Sequence, residues 1–159
     1  MSETSPRVGL GFDSHPAAEE ERDLWLGGLR FEGERGLAGH SDGDTVCHAI
    51  ADAMLGAAAL GDLGAHFPDD DDATEGIAGT TLLARVITLV GEAGYALRSC
   101  DATVICERPS IDPRRDEMRS CLADVLAVPV EAVSVKATRP EGLGLVGDGV
   151  GCMAVAVLA

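Results

Sequence analysis

Gly39-His40-Ser41-Asp42-Gly43-Asp44-Thr45-Val46-Cys47-His48-Ala49-Ile50-Ala51-Asp52 decides how the rest of the chain is read. Gly36 to Gly43 has the composition of a loop, Asp44 stands where a helix N-cap belongs, and Thr45 to about Leu60 is rich in good helix formers. A polar loop is therefore predicted to run straight into a helix. The start of that helix offers N–H groups to an anion, with Ser41 as a further donor, or it is simply a loop closed by an aspartate cap. His48 and Asp52, four residues apart, share a helix face. His48 reads either as a satisfied, partly buried histidine or as a neutral imidazole completing a metal shell. Asp52 reads as a group that orients a catalytic residue or holds that ring.

Upstream, Arg7 to Phe12 reads as a strand, and Gly9 and Gly11 within it point to a backbone crowded against a neighbour. Asp13-Ser14-His15 follows. On extended chain, residues i and i+2 point the same way, so Asp13 and His15 can reach one ion, or the three residues form a surface turn. Residues 16–22 are a polar, acidic loop. Leu24-Trp25-Leu26 and Leu29-Arg30-Phe31 flank Gly27-Gly28 as a bent strand or a hairpin.

Downstream, residues 61–79 hold clusters of Gly, Pro and Asp and are predicted to form a long mobile loop of the kind that serves as a lid. Within it, Asp62 between glycines suits paired hydroxyls, and Asp70 to Asp72 reads as solvated. Thr80 or Thr81 opens a second helix with Leu82, Leu83, Val86, Leu89 and Val90 as its apolar stripe. Ala102 to Cys106 is a strand. Asp112-Pro113 reads as an N-cap and first-turn proline of a third helix buried through Met118, Leu122, Val125 and Leu126. Val133 to Thr138 is a strand, Gly142 to Gly151 is glycine-rich, and Met153 to Leu158 is a closing strand. With no repeat or linker, this order predicts one α+β domain over residues 1–159, after a flexible tail at 1–5: a two-layer sandwich with helices on one face of a sheet.

Composition narrows the function. The 159 residues are 46% apolar but only 3% aromatic, so the core is built from small and branched aliphatic side chains. A net charge of −15 argues against nucleic acid and anionic membranes as partners, and leaves an anionic small molecule only if positive charge is supplied locally. Five cysteines, an odd number with no C-x-x-C pair, read as reduced thiols in a cytoplasm. The N-terminus lacks a signal-peptide pattern, and no apolar run approaches the roughly 20 residues of a membrane span. Asp13, His15 and His48 would make a three-ligand site with a fourth position open, the arrangement of a catalytic zinc. Magnesium would want an all-oxygen shell.

Gly11-Phe12-Asp13-Ser14-His15, His40-Ser41-Asp42-Gly43-Asp44, His48 with Asp52, Gly56 to Gly64 and Phe67-Pro68-Asp69, in that order, resemble the 2-C-methyl-D-erythritol 2,4-cyclodiphosphate synthase family. The resemblance implies a homotrimer with a mixed four-stranded sheet and a short hairpin in each subunit, sheets packed around the three-fold axis, and active sites between subunits. It implies metal-dependent conversion of 4-diphosphocytidyl-2-C-methyl-D-erythritol 2-phosphate to the cyclic diphosphate and CMP, in non-mevalonate isoprenoid precursor synthesis. Carried over, Asp13, His15 and His48 bind zinc or manganese, and His40, Asp52 and Thr138 are catalytic. Ser41, Phe67 and Asp69 meet the methylerythritol phosphate, and Asp62 and Gly64 the ribose. Glu141 would serve a magnesium or manganese ion on the diphosphate. Cys106, Pro109, Ser110, Ile111, Ala137, Thr138 and Arg139 would come from the adjacent subunit to hold cytosine and phosphate.

The nucleotide half departs from the family's pattern. Ser110 stands where a lysine is usual, Arg139 and Pro140 replace threonines, and Gly147-Asp148-Gly149-Val150-Gly151 replaces Gly-Arg-Gly-Glu-Gly. Pro140 removes a backbone donor, and Asp148 in place of arginine weakens any anion site near the trimer axis. Two other readings stay open: a paralogue with the same metal chemistry on another nucleotide-linked phosphate, and a non-catalytic metabolite-binding trimer.

Overall fold

Gly9 and Gly11 are crowded as expected. A Cβ on Gly9 would fall 1.9 Å from the carbonyl oxygen of Ala53, and one on Gly11 2.0 Å from that of Ala49. The first strand therefore lies backbone to backbone against the first helix, through glycines on one side and Ala49, Ala53 and Ala57 on the other. The computed structural model describes residues 5–159, so the tail expected at 1–5 falls outside the described residues except for Ser5.

The strands are β1 (Arg7–His15), β2 (Leu24–Leu26), β3 (Leu29–Phe31), β4 (Leu97–Ile105), β5 (Val133–Thr138) and β6 (Val150–Leu158). The helices are α1 (Thr45–Ala58), α2 (Leu63–His66), α3 (Gly79–Glu92) and α4 (Arg115–Leu126). β1, β6, β4 and β5 form one sheet in that order, antiparallel except for the parallel β4–β5 pair. β2 and β3 form a separate hairpin. Gly27 and Gly28 both take positive φ, +59° and +77°, as a two-residue turn of the primed type requires. α1 packs on β1 and β6 with α3 over it. It is buried nearly all round, as a helix flanked on several sides must be.

Asp44 caps α1 as predicted and does more. Its fully buried carboxylate accepts N–H bonds from Cys47 (3.0 Å), Gly27 (2.8 Å) and Gly28 (2.8 Å), tying the hairpin turn to the helix start. Two expectations need correction. Asp112 does not cap the third long helix: Asp112–Arg114 is a separate 3-10 turn, entered from Ile111, and α4 begins at Arg115. The residues 61–79 are not one structureless loop. Their aspartates act as caps, Asp62 for α2 and Asp71 for a 3-10 turn over Asp72–Thr74.

Every helix on the sheet lies on one side of it. On the other, Val8, Leu10, Phe12, Met153 and Val155 of β1 and β6 are 37% to 67% exposed. The five cysteines are free thiols. Among the described residues, no helix is long and apolar enough to cross a membrane.

Candidate metal centre

β1 continues three residues beyond the predicted strand, so Asp13 and His15 are strand residues pointing the same way. His48 arrives from α1, one turn past the Asp44 cap. Asp13 Oδ2 lies 3.0 Å from His15 Nε2 and 3.2 Å from His48 Nδ1. One ligand atom from each of the three residues lies within 4.8 Å of the others. Ligands on a tetrahedral zinc at about 2.1 Å would sit about 3.4 Å apart, so small adjustments bring these atoms onto one ion.

The far nitrogen of each ring is already engaged. His15 Nδ1 faces the Ala38 carbonyl at 2.7 Å, and His48 Nε2 faces Ser41 Oγ at 3.3 Å. Such outer bonds fix the tautomer and turn the other nitrogen toward a metal. Ser41 Oγ also accepts the Gly43 N–H at 3.1 Å. Burial pushes the Asp13 carboxyl up, but hydrogen bonds from His15 and His48 outweigh it and hold the group at about 2. The bond that His15 donates to the Asp13 carboxylate raises its pKa above the ordinary value, against burial. An ionised carboxylate beside two imidazoles of fixed orientation suits a divalent ion.

A cavity of about 260 Å³ opens over the cluster. Five residues predicted for substrate or catalysis, His40, Ser41, Gly64, Phe67 and Asp69, line it. Four others, Leu63, Thr74, Ile77 and Leu82, carry no signal in the sequence, because their apolar or small side chains read as core. His40 Nε2 bonds to the Asp71 carbonyl at 3.0 Å at the cavity's edge. Asp52 stands outside this lining. His48 is held by Asp13 and Ser41, while Asp52 accepts the Leu63 N–H at 3.2 Å and, through burial, has a raised pKa. Asp62 is exposed and caps α2 through the Ala65 N–H.

Cys106, Pro109, Ser110, Ile111, Ala137, Thr138 and Arg139 line a second cavity of about 180 Å³. Strand register puts both cavities at one end of the sheet: His15 pairs with Val150, and Ile105 with both Gly151 and Thr138. They sit at opposite edges, however, with β1 and β5 three strand steps apart, about 14 Å. Glu141 lies on the exposed segment after β5, with φ +53°, outside both linings.

The model of the YgbB family matches residues 6–159. A 2-C-methyl-D-erythritol 2,4-cyclodiphosphate synthase of Salinibacter ruber is 52% identical over 154 residues, covering 96% of this chain and 98% of that protein. Among solved structures, a 2C-methyl-D-erythritol-2,4-cyclodiphosphate synthase in a CDP-bound form is similar with a TM-score of 0.88 and 34% identity, over 96% of this chain and 100% of that one. The bifunctional IspDF of Campylobacter jejuni gives a TM-score of 0.91 at 35% identity over 97% of this chain, which spans 42% of that longer protein. With the match running over nearly its whole length, the chain belongs to the YgbB family, among proteins named 2-C-methyl-D-erythritol 2,4-cyclodiphosphate synthase.

Proposed function

We propose that this protein, as a single domain, cyclises 4-diphosphocytidyl-2-C-methyl-D-erythritol 2-phosphate to 2-C-methyl-D-erythritol 2,4-cyclodiphosphate with release of CMP. The observation that carries this reading is the Asp13–His15–His48 cluster at the base of a cavity lined by His40, Ser41 and Asp69, in a chain 52% identical to a synthase that it covers almost end to end. An oxygen of the substrate's own 2-phosphate attacks the β-phosphorus. The new P–O bond closes the ring, and the bond from the β-phosphorus to the bridging oxygen breaks, leaving that oxygen with CMP.

No side-chain nucleophile is needed, so the protein's work is to fold the substrate back on itself. Positioning of this kind is worth up to roughly 7–11 kcal/mol of barrier. Asp13, His15 and His48 would hold zinc, which suits their N/O donor set better than magnesium. Bound there, the ion supplies Lewis acidity toward a phosphoryl oxygen in a chain of net charge −15. In the His48 tautomer that carries its proton on Nε2, Ser41 Oγ accepts that N–H as well as the Gly43 N–H, which leaves its own hydrogen for a phosphate oxygen. Asp69, exposed at the rim, accepts a substrate hydroxyl, and the second oxygen of Asp62 serves the ribose.

The cytidine half belongs in the second cavity of a neighbouring subunit, with Thr138 and Arg139 on its phosphates. The separation of the two cavities to opposite sheet edges supports that arrangement, as does the exposed apolar face of β1 and β6. We assign the assembly as a homotrimer built on that face, with Glu141 serving a magnesium ion across the boundary. The test is release of CMP from the cytidine diphosphate substrate by protein stripped of metal and then given zinc with magnesium. Turnover restored by zinc is expected. No CMP under conditions where the Salinibacter ruber relative turns over would refute the reading.

A further inference from the structure

The Ala38–Ser41 segment supplies the outer bond of both histidines: the Ala38 carbonyl to His15 and the Ser41 hydroxyl to His48. Between them, Gly39 has φ +152°, and a Cβ there would lie 2.8 Å from His15 Nδ1, so the loop backbone rests directly on the imidazole. The segment belongs to no helix or long strand, and its course depends on where its carbonyls are tied. His40 O accepts from Gly76 N at 2.7 Å. Gly39 O and Ser41 O, on either side of it, accept from one side chain: Arg22 Nη1 at 3.1 Å and Nη2 at 2.6 Å.

Resting on the metal reading above, we propose that Arg22 is a positioning residue for the metal centre, clamping the loop that aims both histidine ligands. It is half-buried and comes from the acidic connection before β2, separate from the strand and the helix that carry the ligands. Only a guanidinium does this well. Its rigid, planar fork presents two nitrogens to two separate carbonyls in a fixed geometry, whereas a lysine ammonium is a compact point charge on a flexible stem with no such pre-set spacing. Asp42 N bonded to Ile77 O, and Ala38 N bonded to Pro16 O, anchor the flanks of the loop; between them Gly76 N holds the His40 carbonyl and Arg22 the carbonyls on either side of it.

The experiment is competitive zinc titration of the intact protein against a chromophoric chelator, with the visible spectrum of the cobalt-loaded form as a second readout. Arg22→Ala should weaken zinc binding about tenfold, the low end of what outer partners of metal ligands contribute. It should also shift the cobalt bands, because the rings lose their fixed orientation. Arg22→Lys should fall between, and it carries the test if the alanine variant does not fold. Combined with Ser41→Ala, the loss should be less than the sum of the two single losses, since both act through one loop. Wild-type zinc affinity and cobalt spectrum in the Arg22 variants, or strictly additive losses, would overturn the proposal, even if melting temperature falls. If the wild-type protein itself takes up neither zinc nor cobalt, the metal reading fails first and the clamp with it.

Discussion

Asp13 receives both imidazoles on one carboxylate oxygen, and those two bonds, overcoming burial, keep it ionised at any pH near neutrality. Removing that oxygen should remove the ion. Asp13→Asn and His48→Ala are each expected to lose zinc and to lower turnover roughly 10³-fold, the rate equivalent of the several kcal/mol a Lewis acid supplies. Metal analysis of the purified variants beside a CMP-release assay checks this; a variant free of zinc with wild-type turnover would contradict it. The second cavity poses a separate question of identity. Ser110 and Arg139 line it where the family's pattern has lysine and threonine. Calorimetry with CDP, UDP and ADP should show preference for CDP, and equal binding of UDP would favour the reading of a paralogue. The ligands themselves were legible because they are side chains in recognisable motifs. The Ala38 carbonyl was not, since any residue has one. Arg22 was hidden in a run of acidic residues that read only as a polar, acidic loop.

At the scale of elements, the seam between β1 and α1 can be tested directly. Gly11→Ala places a methyl group 2.0 Å from the Ala49 carbonyl, and neither backbone can yield cheaply. It should destabilise the fold by about 1–3 kcal/mol or more, read from urea unfolding, and weaken zinc binding by moving His48 off Asp13. The β4–β5 pair gives a pH signature. Asp101 is raised by its partial burial, but Lys136 and Ser134 lower it further, so its folded pKa lies below 3.8. The stability it contributes is therefore present above about pH 3.8 and is lost as pH falls through the folded value. Both side chains are about half exposed, so the effect is small. The difference in urea midpoint between wild type and Lys136→Met should be measurable at pH 7 and shrink below about pH 3.8; a difference that grows in acid would contradict the assignment. Order and type of the main elements followed from periodicity and caps. The reading failed where one signal serves two structures. Asp-Pro before a helical stripe fits a 3-10 turn as well as an N-cap, and a cluster of Asp and Gly that breaks one long helix can also cap short ones.

For the whole molecule, the decisive surface is the sheet face opposite the helices. Five large apolar side chains on two adjacent strands are a contiguous patch of the kind that marks an interface. Leu10→Asp should convert the proposed trimer to monomer in sedimentation, and with it abolish turnover while leaving zinc bound, because each metal centre is built within one chain. A Leu10→Asp variant that sediments as wild type would remove this face from the assembly. The apolar alternation of β1 is visible in the sequence, but which side of the sheet is covered is not, since that depends on where the helices fall.

The contact of β1 with α1 through glycine and alanine has a further implication for evolvability. Two main chains in van der Waals contact form a joint without compliance, so the spacing of strand-borne and helix-borne ligands cannot drift when distant side chains are exchanged. Mutational tuning of ion preference in this scaffold is then directed to the loop behind the rings, whose course is tied by an exchangeable side chain rather than by packed backbone.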